Sequence, residues 1–401
     1  MNETFGTRLK VSRERSAMTQ EQAANLLHVP RELLSMWEND ARTPNSIQLR
    51  EVSNLYNVNE GYLLGNESLS ENSDWNDLTK GHNAQAALSF RQWLGFLDRW
   101  AEFRREHDGE DCLSGSRKPP KDLDQGYLTD ARKAPKLAVL ARDTYKLGAD
   151  ALPDLYAFLD DQNIPVFRVK LGSIEDSKVS GAFLNHQELG WCILVNTSTS
   201  AGRQAFTLAH EFAHALFHYS QRRLISRKDV DDPEDKSRER FANAWAAHFL
   251  VPGSALRQQL QNMCGDAMNV RSEFEVFQLA HYFRVSFSTL VYRLLGERLI
   301  SENKKDELLE VNVKEIATQL GLPADGYEVP DSSETDWDLK RYPVSVRVRI
   351  KQAIEDDELS VSQAANLLEV DTNTIQDELL IQLSPDLKGL NKKEFAELPP
   401  L

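Results

Sequence analysis

The chain of 401 residues has few cysteines, no long apolar run and no excess of positive charge. Its cysteines, Cys112, Cys192 and Cys264, are odd in number and form no C-x-x-C spacing, so they resemble reduced thiols rather than a disulfide framework. No 18-residue apolar stretch or signal-peptide core occurs, which argues against a membrane partner. The net charge of −15 argues against a protein that coats nucleic acid. We therefore expect a soluble, cytoplasmic protein.

The stretch FTLAHEFAHALFHY, from Phe206 to Tyr219, contains the pattern H-E-x-x-H. His210 and His214 are four residues apart, so on a helix both imidazoles can reach one Zn²⁺, and Glu211 lies beside the open coordination position. Apolar residues recur around them at helical spacing, which predicts a core helix. The pattern alone also arises by chance in about one chain of this length in a hundred, so an ordinary pair of core histidines stays an alternative.

A third ligand strengthens the metal interpretation, because a catalytic zinc needs three protein ligands and one open position. The candidate is Glu239, in the sequence ERFAN on a second apolar helix that Pro252 would end. Asn243 follows one turn later and is placed to support the metal ligands from behind.

His218 extends the spacing to H-x-x-x-H-x-x-x-H. On a straight helix it would lie roughly 12 Å from His210, too far for both to bind one metal ion. We therefore favour a structural or substrate-side histidine over a ligand.

The segments VNTSTSAGRQAFTLAHEFAHALFH and ERFANAWAAHFLVP resemble the ImmA/IrrE family of zinc metallo-endopeptidases. The resemblance runs from about residue 147 to residue 301. It implies that His210, His214 and Glu239 bind zinc and that Glu211 is the general base.

Two positions depart from the family pattern: His248 replaces the usual Glu, and Ala213 replaces the usual Gly. Neither change removes a ligand or the base.

Before the helix, residues 164–171 alternate as a strand, and Val179 to Leu184 with Trp191 to Asn196 predict a hairpin. A small antiparallel sheet beside the helix is the arrangement that zincins use to hold an extended peptide by strand addition.

Residues 5–65 predict five short helices, with Thr19 and Gln22 forming a capping box at the second. The pattern RLKVSRERSAMTQEQAANLLHVPRELLSMWEN resembles the Xre/Cro-type helix-turn-helix. The resemblance implies that the recognition helix runs from Pro30 to Trp37. The candidate DNA contacts are Gln20 for a phosphate and Arg31 and Ser35 for base edges.

The charge of this region limits that interpretation. Residues 1–65 contain seven Arg or Lys and eight Asp or Glu, so they offer no broad basic face to phosphates. A helix-turn-helix kept as a protein-binding module or a dimerisation arm is the alternative, and a homodimer is compatible with either.

Residues 301–401 hold much of the negative charge, with eleven Lys or Arg against twenty-two Asp or Glu. Within them SQAANLLEV, at residues 362–370, echoes EQAANLLHV at residues 21–29, which predicts a degenerate helix-turn-helix repeat. Residues 274–295 predict a further pair of this kind. The acidic repeat would be repelled by phosphate, so it suits a basic protein partner or a site on the chain itself.

These patterns predict a mainly α fold with a small antiparallel β-sheet, of the α+β class. The expected domains are a helix-turn-helix at 1–66, a linker and helical connector at 67–128, a minimal zincin-like metallopeptidase at 129–300 and an acidic helical region at 301–401. The expected function is a zinc-dependent endopeptidase that cleaves a repressor or another regulatory protein. Two other classes stay open: a DNA-binding regulator whose metal domain senses rather than cuts, and an antitoxin-like protein that binds a partner through its acidic region.

Overall fold

The computed structural model describes residues 4–15, 18–56, 58, 60–65, 84–113, 115, 117–152, 154–172, 179–221, 223–227, 232–265, 270–322 and 339–381. The chain divides into two compact units, residues 1–332 and 333–401. The first part of the predicted linker and connector, residues 67–83, lies outside the described residues, as do the last twenty residues. The fold is mainly helical with one small sheet, as predicted.

The N-terminal region contains the five predicted helices, which pack around Leu9, Leu34, Trp37, Val52 and Leu63. The predicted capping box is present at the second helix, where the Thr19 side chain accepts from the Gln22 backbone. The recognition helix starts after Pro30, within one residue of the prediction. The helices are α1 (Phe5–Arg15), α2 (Gln20–Leu26), α3 (Arg31–Glu38), α4 (Ser46–Tyr56) and α5 (Glu60–Leu64).

A mixed sheet follows α6 (Ala84–Asp108), α7 (Ala134–Thr144) and α8 (Leu155–Asp161). Its strands lie in the order β1-β3-β2-β4. The predicted hairpin of β2 and β3 is antiparallel, as is the β2–β4 pair. The prediction of a purely antiparallel sheet needs one correction. Strand β3 lies between β1 and β2, and its pairing with β1 is parallel. The strands are β1 (Val166–Val169), β2 (Val179–His186), β3 (Gly190–Asn196) and β4 (Arg223–Arg227).

Helices cover both faces of this sheet. All seven residues of β3 are buried, as expected for a central strand covered on both sides. Helix α9 (Ala201–Phe217) packs on one face, and α6 contributes Trp93 and Phe96, whose rings lie 6.1 Å and 5.5 Å from the ring of Phe167. The aromatic side chains of α6 therefore pack against the sheet.

The core around α9 extends beyond the predicted limits of the metallopeptidase region. Leu123 is fully buried in it, although it lies in the predicted linker and connector at 67–128. Leu308, Ile316 and Ala317 belong to the same core, although they follow residue 300. The later helices are α10 (Pro233–Leu250), α11 (Gly253–Cys264), α12 (Glu273–Phe283), α13 (Phe287–Gly296), α14 (Glu302–Leu309) and α15 (Val313–Leu320).

The second unit contains α16 (Val344–Glu355), α17 (Val361–Leu368) and α18 (Thr372–Thr374), which continues as π-helical turns over Ile375–Ile381. Its predicted repeat of the N-terminal turn is present. Val370 donates its backbone N–H to the Ala365 carbonyl at 3.0 Å, just as Val29 donates to Ala24 at 3.0 Å. The residue before each valine is in the left-handed region, with φ of 51° at Glu369 and 50° at His28.

The pair α12 and α13 uses the same turn. Val285 donates to the Ala280 carbonyl at 3.0 Å, and Arg284 has a φ of 55°. Its second helix buries Phe287 and Leu290 in the main core, so this copy is a packing element.

Candidate metal centre

Two helices hold the candidate ligands, α9 with His210 and His214, and α10 with Glu239. Aromatic contacts between them fix their relative register: the Phe212 and Trp245 rings lie 5.8 Å apart, and the Phe217 and Phe241 rings 5.2 Å apart. The start of α10 is fixed by Asp232, whose side chain accepts from two backbone N–H groups, and by Pro233 in the first turn. This packing carries Glu239 to the histidines.

The three ligand atoms converge. Nε2 of His210 lies 3.0 Å from Nε2 of His214 and 3.1 Å from Oε2 of Glu239. Nε2 of His214 lies 3.5 Å from Oε1 of Glu239. The three ligand atoms all lie within 4.8 Å of one another, close enough to hold one metal ion. Among the described residues, no other group of three or more His, Cys, Asp or Glu side chains meets this condition.

The hydrogen bonds behind His210 direct its lone pair into this group. Nδ1 of His210 lies 3.0 Å from Oδ1 of Asn243, which can only accept, so Nδ1 carries the proton. When the ring is neutral, Nε2 carries a lone pair, and this atom faces His214 and Glu239. Asn243 thus contacts His210 at the ring nitrogen that does not face Glu239, and its role as a support of the metal ligands stays a prediction.

Charge in the metal-free centre is concentrated on Glu239 and His210. Burial would raise the pKa of Glu239, but the neighbouring imidazoles of His210 and His214 outweigh it and hold that pKa well below its usual range. Burial would lower the pKa of His210, but the Glu239 carboxylate outweighs it and raises the pKa. Burial lowers the pKa of His214 to about 4. Glu239 and His210 therefore form a carboxylate–imidazolium pair, and a metal ion would take the place of the shared proton.

The donor set fits zinc. Tetrahedral Zn²⁺ with Zn–N bonds of about 2.0–2.1 Å places two ligand nitrogens roughly 3.3 Å apart, close to the 3.0 Å between the two Nε2 atoms. Two imidazole nitrogens and one carboxylate form the set used by catalytic zinc sites, which keep a fourth position open. Without a shared proton or a metal ion, two facing Nε2 lone pairs at this distance would repel each other.

Glu211 lies next to the ligands and is fully buried against strand β2. The contact occurs at Gly181, where a Cβ atom would lie 2.8 Å from Oε1 of Glu211 and 2.7 Å from Cγ2 of Thr207. The β2–β4 register shifts between Val179 and Gly181, which bends the strand at this point. Gly181 thus leaves the space that the Glu211 carboxylate occupies.

His218 is not among the converging ligand atoms. It caps the end of α9, is fully buried, and lies behind His214 with the two Nδ1 atoms 2.9 Å apart. Tyr219 and His248, which lie near the end of the two metal helices, have other neighbours. The Tyr219 hydroxyl donates to Asp124, and burial, with Arg293 nearby, lowers the pKa of His248 to about 4.

The candidate DNA contacts lie around α3. Arg31 is exposed at its start and Ser35 is half-buried one turn later. Nε2 of Gln20 donates to Oε2 of Glu38 at 2.9 Å, and Glu38 forms a buried pair with Arg13 at 2.6 Å. The side-chain amide of Gln20 has a second N–H, which can donate to a phosphate.

Sequence reasoning missed Gly181 and the support behind His214. A glycine inside a strand pattern indicates a bulge or a close backbone approach, so that signal was present. The carbonyl of Leu128, which lies 2.6 Å from Nε2 of His218, has no side-chain signature.

Comparison with known proteins agrees with both motifs. Residues 159–295 match a peptidase family model described as the IrrE N-terminal-like domain, and residues 6–69 match a helix-turn-helix domain. The chain therefore carries a helix-turn-helix domain followed by an IrrE N-terminal-like domain, as the sequence patterns predicted.

A curated relative is the HTH-type transcriptional regulator ImmR of Bacillus subtilis (strain 168), which is 39% identical over 80 residues. The match covers 20% of this chain and 63% of the relative. Among the described residues, no helix has the length and apolar character needed to cross a bilayer.

Proposed function

We propose that this protein is a zinc-dependent endopeptidase that cleaves a specific regulatory protein and binds DNA through its N-terminal domain. The observation that carries the proposal is the convergence of two Nε2 atoms and one carboxylate from His210, His214 and Glu239 beside the buried carboxylate of Glu211. The match to a peptidase family supports it.

The reaction needs a water nucleophile, a base and a polarised peptide carbonyl. Zn²⁺ bound by His210, His214 and Glu239 would supply Lewis-acid polarisation and an acidified water. Glu211 would accept the proton of the attacking water and deliver it to the leaving amine. Asn243 would keep the Nε2 lone pair of His210 directed to the centre through its bond to Nδ1.

An extended substrate would add to the sheet. Strand β4 is a terminal strand of the described sheet, and its partner β2 contains Gly181, which contacts Glu211. A peptide paired with an edge strand gains backbone hydrogen bonds, while alternating side-chain pockets select its sequence. We therefore expect a substrate that offers an extended, accessible segment.

The N-terminal domain would direct the protein to DNA. The name of the relative, a transcriptional regulator, and the helix-turn-helix match support this role. Arg31 and Ser35 would contact base edges and Gln20 a phosphate. The alternative, a DNA-binding regulator with a sensory metal domain, shares these residues but has no need of Glu211.

Glu211→Gln separates catalysis from sensing. We expect wild-type protein expressed in a bacterial host to generate new protein N-termini, detectable by mass spectrometry. Glu211→Gln should reduce their yield by about 10² to 10⁴-fold, the usual contribution of a general base. Its zinc content should match that of wild type, because Glu211 is not a ligand.

His210→Ala serves as the matched control, since it should lose both zinc and cleavage. Equal sets of N-termini from wild type and Glu211→Gln, at equal zinc content, would refute the peptidase proposal and favour the sensory alternative.

A further inference from the structure

A chain of hydrogen bonds runs from the metal centre through His214 and His218 to the backbone of Leu128. Nε2 of His218 lies 2.6 Å from the carbonyl oxygen of Leu128, which can only accept, so Nε2 carries a proton. Nδ1 of a neutral His218 is then an acceptor, and it lies 2.9 Å from Nδ1 of His214. His214 must donate from Nδ1, which leaves the lone pair on its Nε2 directed at Glu239 and His210.

This assignment requires both rings to be neutral, and their surroundings favour that state. His214 and His218 are fully buried. A buried environment disfavours the charged form of an imidazole. The sequence of donors from Leu128 to the centre therefore has one consistent arrangement.

We propose that His218 is a positioning residue that fixes the tautomer and ring orientation of His214, and that residues 117–130 complete the metal centre by holding His218 through the Leu128 carbonyl. The inference rests on the proposed function, since it assigns a role to the support of the same site. It also extends the functional unit to residues that precede the family match, which begins at residue 159.

Several contacts hold residues 117–130 against the metal helix. Leu123 is fully buried in the common core. The Tyr127 ring meets the His218 ring edge-on, with centroids 5.1 Å apart. The Tyr219 hydroxyl donates to Asp124 at 3.0 Å, and the guanidinium of Arg117 lies 4.9 Å from the Trp191 ring centroid. These contacts fix the residues that precede Leu128, and so they position its carbonyl.

The two ligand histidines differ in how their support can be replaced. Asn243, which supports His210, is exposed, so water can take over its acceptor role. His218, which supports His214, is fully buried, so its loss leaves a buried N–H without an acceptor. Loss of the His218 support should therefore weaken the centre more than loss of the Asn243 support.

Zinc affinity of the full-length protein, measured by competition with a chelator, tests this order. We expect His218→Leu to lower the affinity by about 10- to 100-fold, and Asn243→Ala by less. His218→Asn should recover part of the loss, because its Oδ1 can accept near the position of Nδ1. A purely structural role for His218 would not give this rescue.

Two further readouts do not depend on cleavage. ¹⁵N chemical shifts of the imidazoles in the metal-free protein should give His214 as the Nδ1–H tautomer. Replacing the 128–129 amide with an ester, through an α-hydroxy acid at position 129, should weaken the Leu128 acceptor and lower zinc affinity several-fold in the full chain.

An Nε2–H tautomer of His214, or wild-type zinc affinity in a folded His218→Leu protein, would overturn the inference. If His218→Leu fails to fold, wild-type zinc affinity in the ester variant would overturn it. Failure of the peptidase proposal alone would appear as absent cleavage with these zinc and tautomer results intact.

Discussion

The candidate metal centre and the N-terminal recognition helix both belong to pairs of packed helices. The key side chains of the first are buried, whereas those of the second are exposed or half-buried. His214 and Glu211 are fully buried and His210 nearly so, and packing determines their positions. Arg31, at the start of α3, is exposed, so its position depends mainly on the helix that carries it. A buried site should therefore respond to small steric changes with large losses, whereas the exposed surface should respond in small, graded steps.

The two copies of the helix-turn-helix turn sharpen this contrast. The N-terminal and C-terminal turns have the same 3.0 Å bond and nearly the same φ. The helix after the first turn is regular and begins with exposed Arg31, whereas the helix after the second becomes π-helical and exposes Asp377, with Glu378 half-buried beside it. The local sequence thus sets the turn, while the exposed residues decide which partners are compatible with it.

The largest effect in this comparison is expected from a single methyl group at the metal centre. Gly181→Ala would place a Cβ 2.8 Å from Oε1 of Glu211, so the carboxylate must move. A displacement of the base by about 1 Å can cost roughly 100-fold in rate. We expect a loss of cleavage on that scale with zinc content retained, measured on the new N-termini or on an identified substrate.

Gly296→Ala is the matched control, because the nearest atom to an added Cβ there, apart from the backbone of its own helix, is Nη1 of Arg293 at 4.0 Å. It should leave cleavage unchanged. A Gly181→Ala protein with wild-type cleavage would mean that Glu211 does not depend on this close approach.

A smaller effect is expected on the exposed helix. Arg31→Ala should relax base preference at one position and cost about 1–3 kcal/mol in binding of a selected DNA site. Gln20→Ala should weaken binding to all sequences alike, because phosphate contacts carry no sequence information. Selection from a random DNA library at low salt, followed by fluorescence titration, measures both.

Glu32→Ala, at the exposed position next to Arg31, gives a charge-altering control on the same helix turn. Absence of DNA binding by the full-length protein even at low salt would favour a protein-binding helix-turn-helix.

The smallest effect is expected from the acidic C-terminal region. Helices α14 and α15 contribute Leu308 and Ile316 to the main core, so a truncated chain should end near Leu322 rather than at 301. If the removed acidic residues restrain activity electrostatically, the shortened chain should cleave up to about fivefold faster at low salt, since exposed charge contacts contribute up to about 1 kcal/mol each. The gap should narrow once the Debye length falls below about 8 Å.

Rates measured at several salt concentrations test this restraint. Identical rates for the two chains at every ionic strength would remove the restraint and leave the region as a docking surface for a basic partner.

Spacing along helices allowed much of this architecture to be predicted. His210 and His214 are four residues apart, which places them on one face of a helix. The helix-turn-helix was predicted from the capping box at Thr19 and Gln22 and from the repeated sequence, and the structure adds the left-handed residue before each valine. Contacts between distant segments have no such signal. The parallel pairing of β1 with β3 and the Leu128 carbonyl behind His218 depend on tertiary packing, which periodicity does not encode.

The central claim is that His210, His214 and Glu239 bind one zinc ion, and X-ray absorption at the zinc edge tests it most directly. We predict one zinc per full-length chain with nitrogen and oxygen ligands at about 2.0–2.2 Å, and weaker zinc retention in Glu239→Ala. Sulfur ligands at about 2.3 Å, or an unchanged ligand shell and affinity in Glu239→Ala, would contradict the account.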